Sequence, residues 1–62
     1  MSSTAIIEYQ AESGVWLKFA DCSSHPSSIK RMLDACLISQ SWIKKARAID
    51  SDTKQLIDMA IK

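Results

Sequence analysis

The chain lacks most of the residues that would announce a chemistry. It has one histidine, His25, and two cysteines, Cys22 and Cys36. A miniprotein built on disulfides carries more cysteines at closer spacing. Cys22 and His25 make a Cys-x-x-His, half of a zinc site, but a structural zinc needs four ligands and no second pair exists. Neither a metal nor any other cofactor is therefore expected. The cysteines read as small buried thiols and His25 as a loop residue. An excess of charge is missing too: eight basic residues face seven acidic ones, for a net charge of +1. A nucleic-acid binder usually shows a clear basic excess and a DNA mimic an acidic one. No apolar run approaches the roughly 20 residues that a membrane helix requires. The opening Met1-Ser2-Ser3-Thr4 has no basic segment leading into an apolar one, so no secretory leader is expected. The expectation is a cytoplasmic chain with reduced thiols and no membrane partner.

What is present suits one small folded domain. The 62 residues are 47% hydrophobic and 24% charged, an ordinary globular composition. A chain of this length, taken as a single domain over residues 1–62, lies near the lower limit for folding on one core. Such chains often lean on a partner subunit.

The only glycine, Gly14, separates two β-rich runs between Ala5 and Ala20. With Glu12-Ser13-Gly14 as a three-residue loop, glycine supplies the positive φ that closes the turn. This register sets Tyr9 against Leu17, Ile7 against Phe19, Glu8 against Lys18 and Gln10 against Trp16. Ile7, Tyr9, Val15, Leu17 and Phe19 then share one side. A one-residue slip would destroy that separation. Pro26 and the surrounding serines are helix-start chemistry. Ile29, Met32, Leu33, Cys36 and Leu37 follow at i, i+3, i+4, i+7 and i+8, one apolar stripe of a helix over about 27–39. Ser39-Gln40-Ser41 is its exit.

Residues 42–62 admit two readings. High helix propensity around Lys44–Ala48, and a cap at Ser51 or Asp52, would give a hairpin followed by three helices. The preferred reading is a second hairpin. Asp50, Thr53 and Lys54, set between Ile49 and Leu56, resemble the second hairpin of the protein G immunoglobulin-binding domain. That resemblance covers eight residues and implies turn chemistry only. Asp and Thr side chains would bond the turn backbone and the lysine would take φ > 0. Ile49 would face Leu56 and Arg47 would face Asp58, with Ala46, Ala48, Ile57, Met59 and Ile61 under the helix. The fold class is then α+β, a ββαββ chain whose four-stranded sheet of two hairpins carries one helix on one face. A parallel pairing of the first and last strands at the centre would extend the resemblance to the protein G roll.

Catalysis needs a nucleophile, a base and an orienting group converging in a pocket. Cys22 and His25 offer no third group, so the chain is not expected to be an enzyme. The open sheet face is more informative. Beside Ile6 and Lys18, it is expected to carry Trp16, Ile43, Ile49 and Leu56, with Lys45 and Arg47 at the rim. Trp42 is expected to plug the core at the helix exit. Several apolar residues on one open face mark a contact surface. The leading expectation is a non-enzymatic interaction module binding another protein, or itself, through that face or an edge strand. The second is a nucleic-acid-binding regulator using Lys44, Lys45 and Arg47, favoured if the last third is helical.

Overall fold

In the computed structural model, residues 4–62 are described. Met1, Ser2 and Ser3, on which the expectation of no secretory leader rests, lie outside the described residues. The elements are β1 (Thr4–Gln10), β2 (Trp16–Ser23), α1 (Pro26–Ser39), β3 (Lys45–Asp50) and β4 (Leu56–Ile61). The chain is thus ββαββ with one sheet and one helix, and its last third is strand, not helix.

Both turns form as their residues dictate. In the first, the Gly14 amide donates to Ala11 O at 2.9 Å and Ala11 N to Val15 O at 2.8 Å, with Gly14 at φ +94°. In the second, one oxygen of the Asp50 carboxylate accepts the amides of Asp52 (2.8 Å) and Thr53 (3.1 Å). Thr53 Oγ1 accepts the Gln55 amide at 3.3 Å, and Lys54 sits at φ +64°. These bonds hold Asp50's carboxyl below the usual carboxylate range, Thr53's amide contributing most, then Asp52's, with the Lys54 charge adding.

The strand order is β2-β1-β3-β4, antiparallel throughout. The centre is therefore β1 against β3, not a parallel pair of β1 and β4 as in the protein G roll. The observed neighbour has a reason in the residues. It sets Glu8 against Arg47, an opposite-charge pair, and the small Ala48 and Ala46 against Ile7 and Tyr9.

Each outer strand carries one extra residue. In β2 the register shifts between Ile7↔Ala20 and Glu8↔Lys18, leaving Phe19 as the extra residue. In β4 it shifts between Ala48↔Asp58 and Ile49↔Leu56, leaving Ile57. Such bulges are frequent at sheet edges, where they increase the local twist. Beyond a bulge every side chain changes face. Phe19 therefore does not face Ile7; Ala20 and Cys22 take its side. Arg47 lies across from Met59 instead of Asp58, so Met59 and Ile61 leave the helix side for the open face.

The core is a stripe of large helix residues on a floor of small ones. Ile29, Leu33, Cys36 and Leu37 of α1 are buried against Ala5, Ile7, Ala46 and Ala48, with Ala60 and Cys22 at the margin. Alanines in the sheet let the helix approach closely. The helix starts at Pro26 with His25 as its cap residue, and no side chain caps it. Ser23 Oγ accepts the His25 amide at 3.3 Å, one position before the helix. The serines thus order the entry loop without capping the first turn, because the proline ring already fixes it. At the exit Ser39 Oγ donates to Cys36 O at 2.7 Å. The plug there is Ile43, 1% exposed. Trp42 is 39% exposed and lies edge-on to Tyr9 with ring centroids 5.8 Å apart. The two neighbours exchange the roles expected of them, since the bend after Gln40 turns Ile43 inward.

Candidate functional site

The helix covers one face of the sheet and leaves the other bare, and the register fixes what the bare face displays. One cross-strand row reads Asp21, Ile6, Ile49 and Leu56; the next reads Lys18, Glu8, Arg47 and Met59. At the far end Trp16 lies against Gln10, and Lys45 against Ile61. Of the residues expected on this face, Trp16, Ile49, Leu56, Lys45 and Arg47 are all there. Ile43 is not. Its side chain belongs to the core cluster on the helix side, because it precedes β3 and turns in behind the helix exit.

Arg47 organises the centre of the face. Its Nε donates to Glu8 Oε1 at 2.8 Å, and its Nη2 lies 2.8 Å from the same oxygen as an ion pair. Its guanidinium also stacks over the Trp16 ring, 4.2 Å from the centroid. The Glu8–Arg47 pair is largely shielded, with side-chain exposures of 18% and 30%. A planar guanidinium held by a carboxylate and an aromatic face makes a rigid platform. Lys18 faces Glu8 across the strands but pairs with Asp21 at 3.1 Å, an exposed bridge of little energetic weight.

Around this polar centre lies an apolar rim on β4. Leu56, Ile57, Met59 and Ile61 are 57%, 41%, 41% and 66% exposed. Sequence reasoning placed Met59 and Ile61 under the helix. The signal it missed is the small residue Ala60, which matches the alanine floor at Ala46 only if Met59 and Ile61 point the other way. It missed Glu8 as the partner of Arg47 for a different reason, since that contact depends on strand order.

His25 Nδ1 contacts Ser27 Oγ at 2.9 Å. Burial pushes the Cys22 thiol up, with the Asp21 charge adding, and burial alone pushes Cys36 up. Both thiols thus keep their protons more firmly than a free cysteine and are poorer nucleophiles. Among the described residues no group of three or more His, Cys, Asp or Glu side chains could hold a metal ion. An open hollow of about 410 Å³ lies between the first turn and the helix exit, lined by Gln10, Ala11, Glu12, Ser41, Trp42, Lys44 and Lys45. It holds one carboxylate and two lysines. No described helix is long and apolar enough to cross a membrane. Lys44, Lys45 and Arg47 share no helix face, since Lys45 and Arg47 lie in β3 and Lys44 just precedes it. Comparison with protein-family models, curated proteins and solved structures returns no match.

Proposed function

We propose that the chain is a small non-enzymatic interaction module, binding another protein or a second copy of itself through the open sheet face or an edge strand. The observation that carries this reading is the bare face itself. Leu56, Met59 and Ile61 are exposed there beside a pre-ordered Trp16–Arg47–Glu8 platform. A tryptophan and an arginine held in place, flanked by apolar side chains, form the composition of an interface centre. Charged edge residues would discourage contact, whereas β4 offers apolar ones.

Amide NMR spectra over a range of protein concentrations, and with candidate partners, test the reading. Shifts that move at Trp16, Arg47, Leu56 and Met59 and leave the helix unchanged support it. Trp16→Ala should weaken association by tenfold or more while the amide spectrum stays folded. A variant that unfolds would make Trp16 a structural residue and remove it from the site. Shifts confined to the hollow between Glu12 and Lys44 would overturn the reading.

A further inference from the structure

We infer that the occupant of the β4 edge is a second copy of this chain, its β4 pairing antiparallel about Ala60 to give a two-fold dimer with one continuous eight-stranded sheet. This rests on the reading above and makes it specific. The bulge at Ile57 leaves 58–62 as the regular part of the edge. That segment reads Asp58, Met59, Ala60, Ile61, Lys62, and its pattern is its own complement. When it runs antiparallel to itself, Asp58 meets the second copy's Lys62, Met59 meets Ile61 and Ala60 meets Ala60. Charge meets opposite charge at both ends, and apolar meets apolar between them.

The hydrogen-bond phase agrees. The Lys62 amide donates to Lys44 O at 2.8 Å, and Ala60 lies against Ala46. Bonds in an antiparallel ladder recur at every second residue. Residues 60 and 62 therefore point their amides at β3, and 59 and 61 point theirs outward. The Met59 amide does point away from β3, where Asp58 Oδ1 accepts it at 2.8 Å. In the proposed register Met59 and the second copy's Ile61 exchange both backbone bonds, twice over by symmetry. The Lys62 ammonium donates to Leu37 O at 3.0 Å and keeps two further donors, so the opposing Asp58 carboxylate can leave the Met59 amide for it without displacing that bond. A net charge of +1 per chain adds little repulsion. The two charge pairs are exposed, so they set register more than affinity. The dimer is accordingly a weak one, formed by strand addition and an apolar seam.

Sedimentation equilibrium of the full chain, from micromolar to millimolar concentration, measures it. The wild type should self-associate. Asp58→Lys and Lys62→Asp should each weaken that association roughly tenfold or more, by opposing like charges at both ends. The two single variants mixed should form a heterodimer tighter than either homodimer, because every end pair is then opposite in sign. Circular dichroism checks that each variant folds. In a Cys22→Ser background, Ala60→Cys should oxidise to a linked dimer, since the two-fold sets those Cα atoms about 4.5–5.5 Å apart, within disulfide range. A chain that stays monomeric to millimolar concentration overturns the inference. So does a dimer indifferent to both charge reversals. If that dimer is instead lost in Trp16→Ala, the interaction-module reading stands with the face as its contact. If the monomer binds a different protein through Trp16 and Leu56, the reading likewise stands without the self-pairing.

Discussion

The two hairpins solve one problem with different materials. Each closes its turn on a single residue at positive φ, Gly14 in the first and Lys54 in the second. The first uses the freedom of glycine and few side-chain bonds, the Gln10 amide reaching Gly14 O at 3.2 Å. The second places a lysine where L-residues are disfavoured and offsets that by anchoring the turn amides on Asp50 and Thr53. Their outer strands diverge in the same way. The open side of β2 is guarded by the Lys18–Asp21 bridge, whereas β4 presents Leu56, Met59 and Ile61. On the open face the edge of the first hairpin is charged and that of the second apolar, although Leu17 and Phe19 of β2 are exposed as well.

The sharpest way to break the comparison is through inner against outer strands. Ile7, fully buried in β1, should cost about 2–5 kcal/mol on truncation to alanine. Ile61→Ala on β4 should cost less than about 0.5 kcal/mol in the free chain. Urea unfolding at low concentration checks both. Near-equal losses would mean that β4 is core and the two hairpins are alike.

The turns give a smaller effect of opposite sign. A Cβ at Gly14 would meet no atom within 4 Å, so the cost of Gly14→Ala is conformational alone, about 1 kcal/mol. Lys54→Gly relieves that same strain and should raise stability by up to about 1 kcal/mol. Thermal unfolding of the two variants should shift in opposite directions.

The smallest effect is in acid. The folded chain holds Asp50's carboxyl below its ordinary value, chiefly by the Thr53 amide and then by that of Asp52. Its contribution is therefore full above the ordinary carboxylate range and is lost as the pH falls through the lower folded value. An Asp50→Asn chain should show a flatter decline of stability on that acid limb. An unchanged limb would mean that the second turn does not depend on its carboxylate.

These contrasts explain what could be read from the residues. The turns and the pairs next to them were legible, because Gly14, Asp50, Thr53 and Lys54 act on their own neighbours. Tyr9↔Leu17 and Ile49↔Leu56 follow directly. The helix stripe was legible for the same reason. The bulges at Phe19 and Ile57 were not, since each depends on how the edge strands twist over the helix. Missing them sent Met59 and Ile61 to the wrong side and paired Arg47 with Asp58. Strand order was also beyond local chemistry, and with it the Glu8–Arg47 contact. The open face was recovered at Trp16, Lys45, Arg47, Ile49 and Leu56, because β3 and the first residues of β2 carry no bulge. Ile43 was lost because it lies outside any strand, in a loop whose bend decides which of two neighbours turns inward.

The antiparallel centre also governs how the molecule comes into being. Glu8 and Arg47 stand 39 positions apart in the chain, so β1 waits for its inner neighbour until most of the polypeptide has been made. Each hairpin can zip from its own turn within microseconds, but a lone hairpin is at best marginal in water. Closing the long loop between them is the slow step that distant contacts impose. Until then the helix stripe of Ile29 and Leu33 has only the β1–β2 half of its floor, without Ala46 and Ala48. Closure of that loop joins two half-sheets into one cooperative unit.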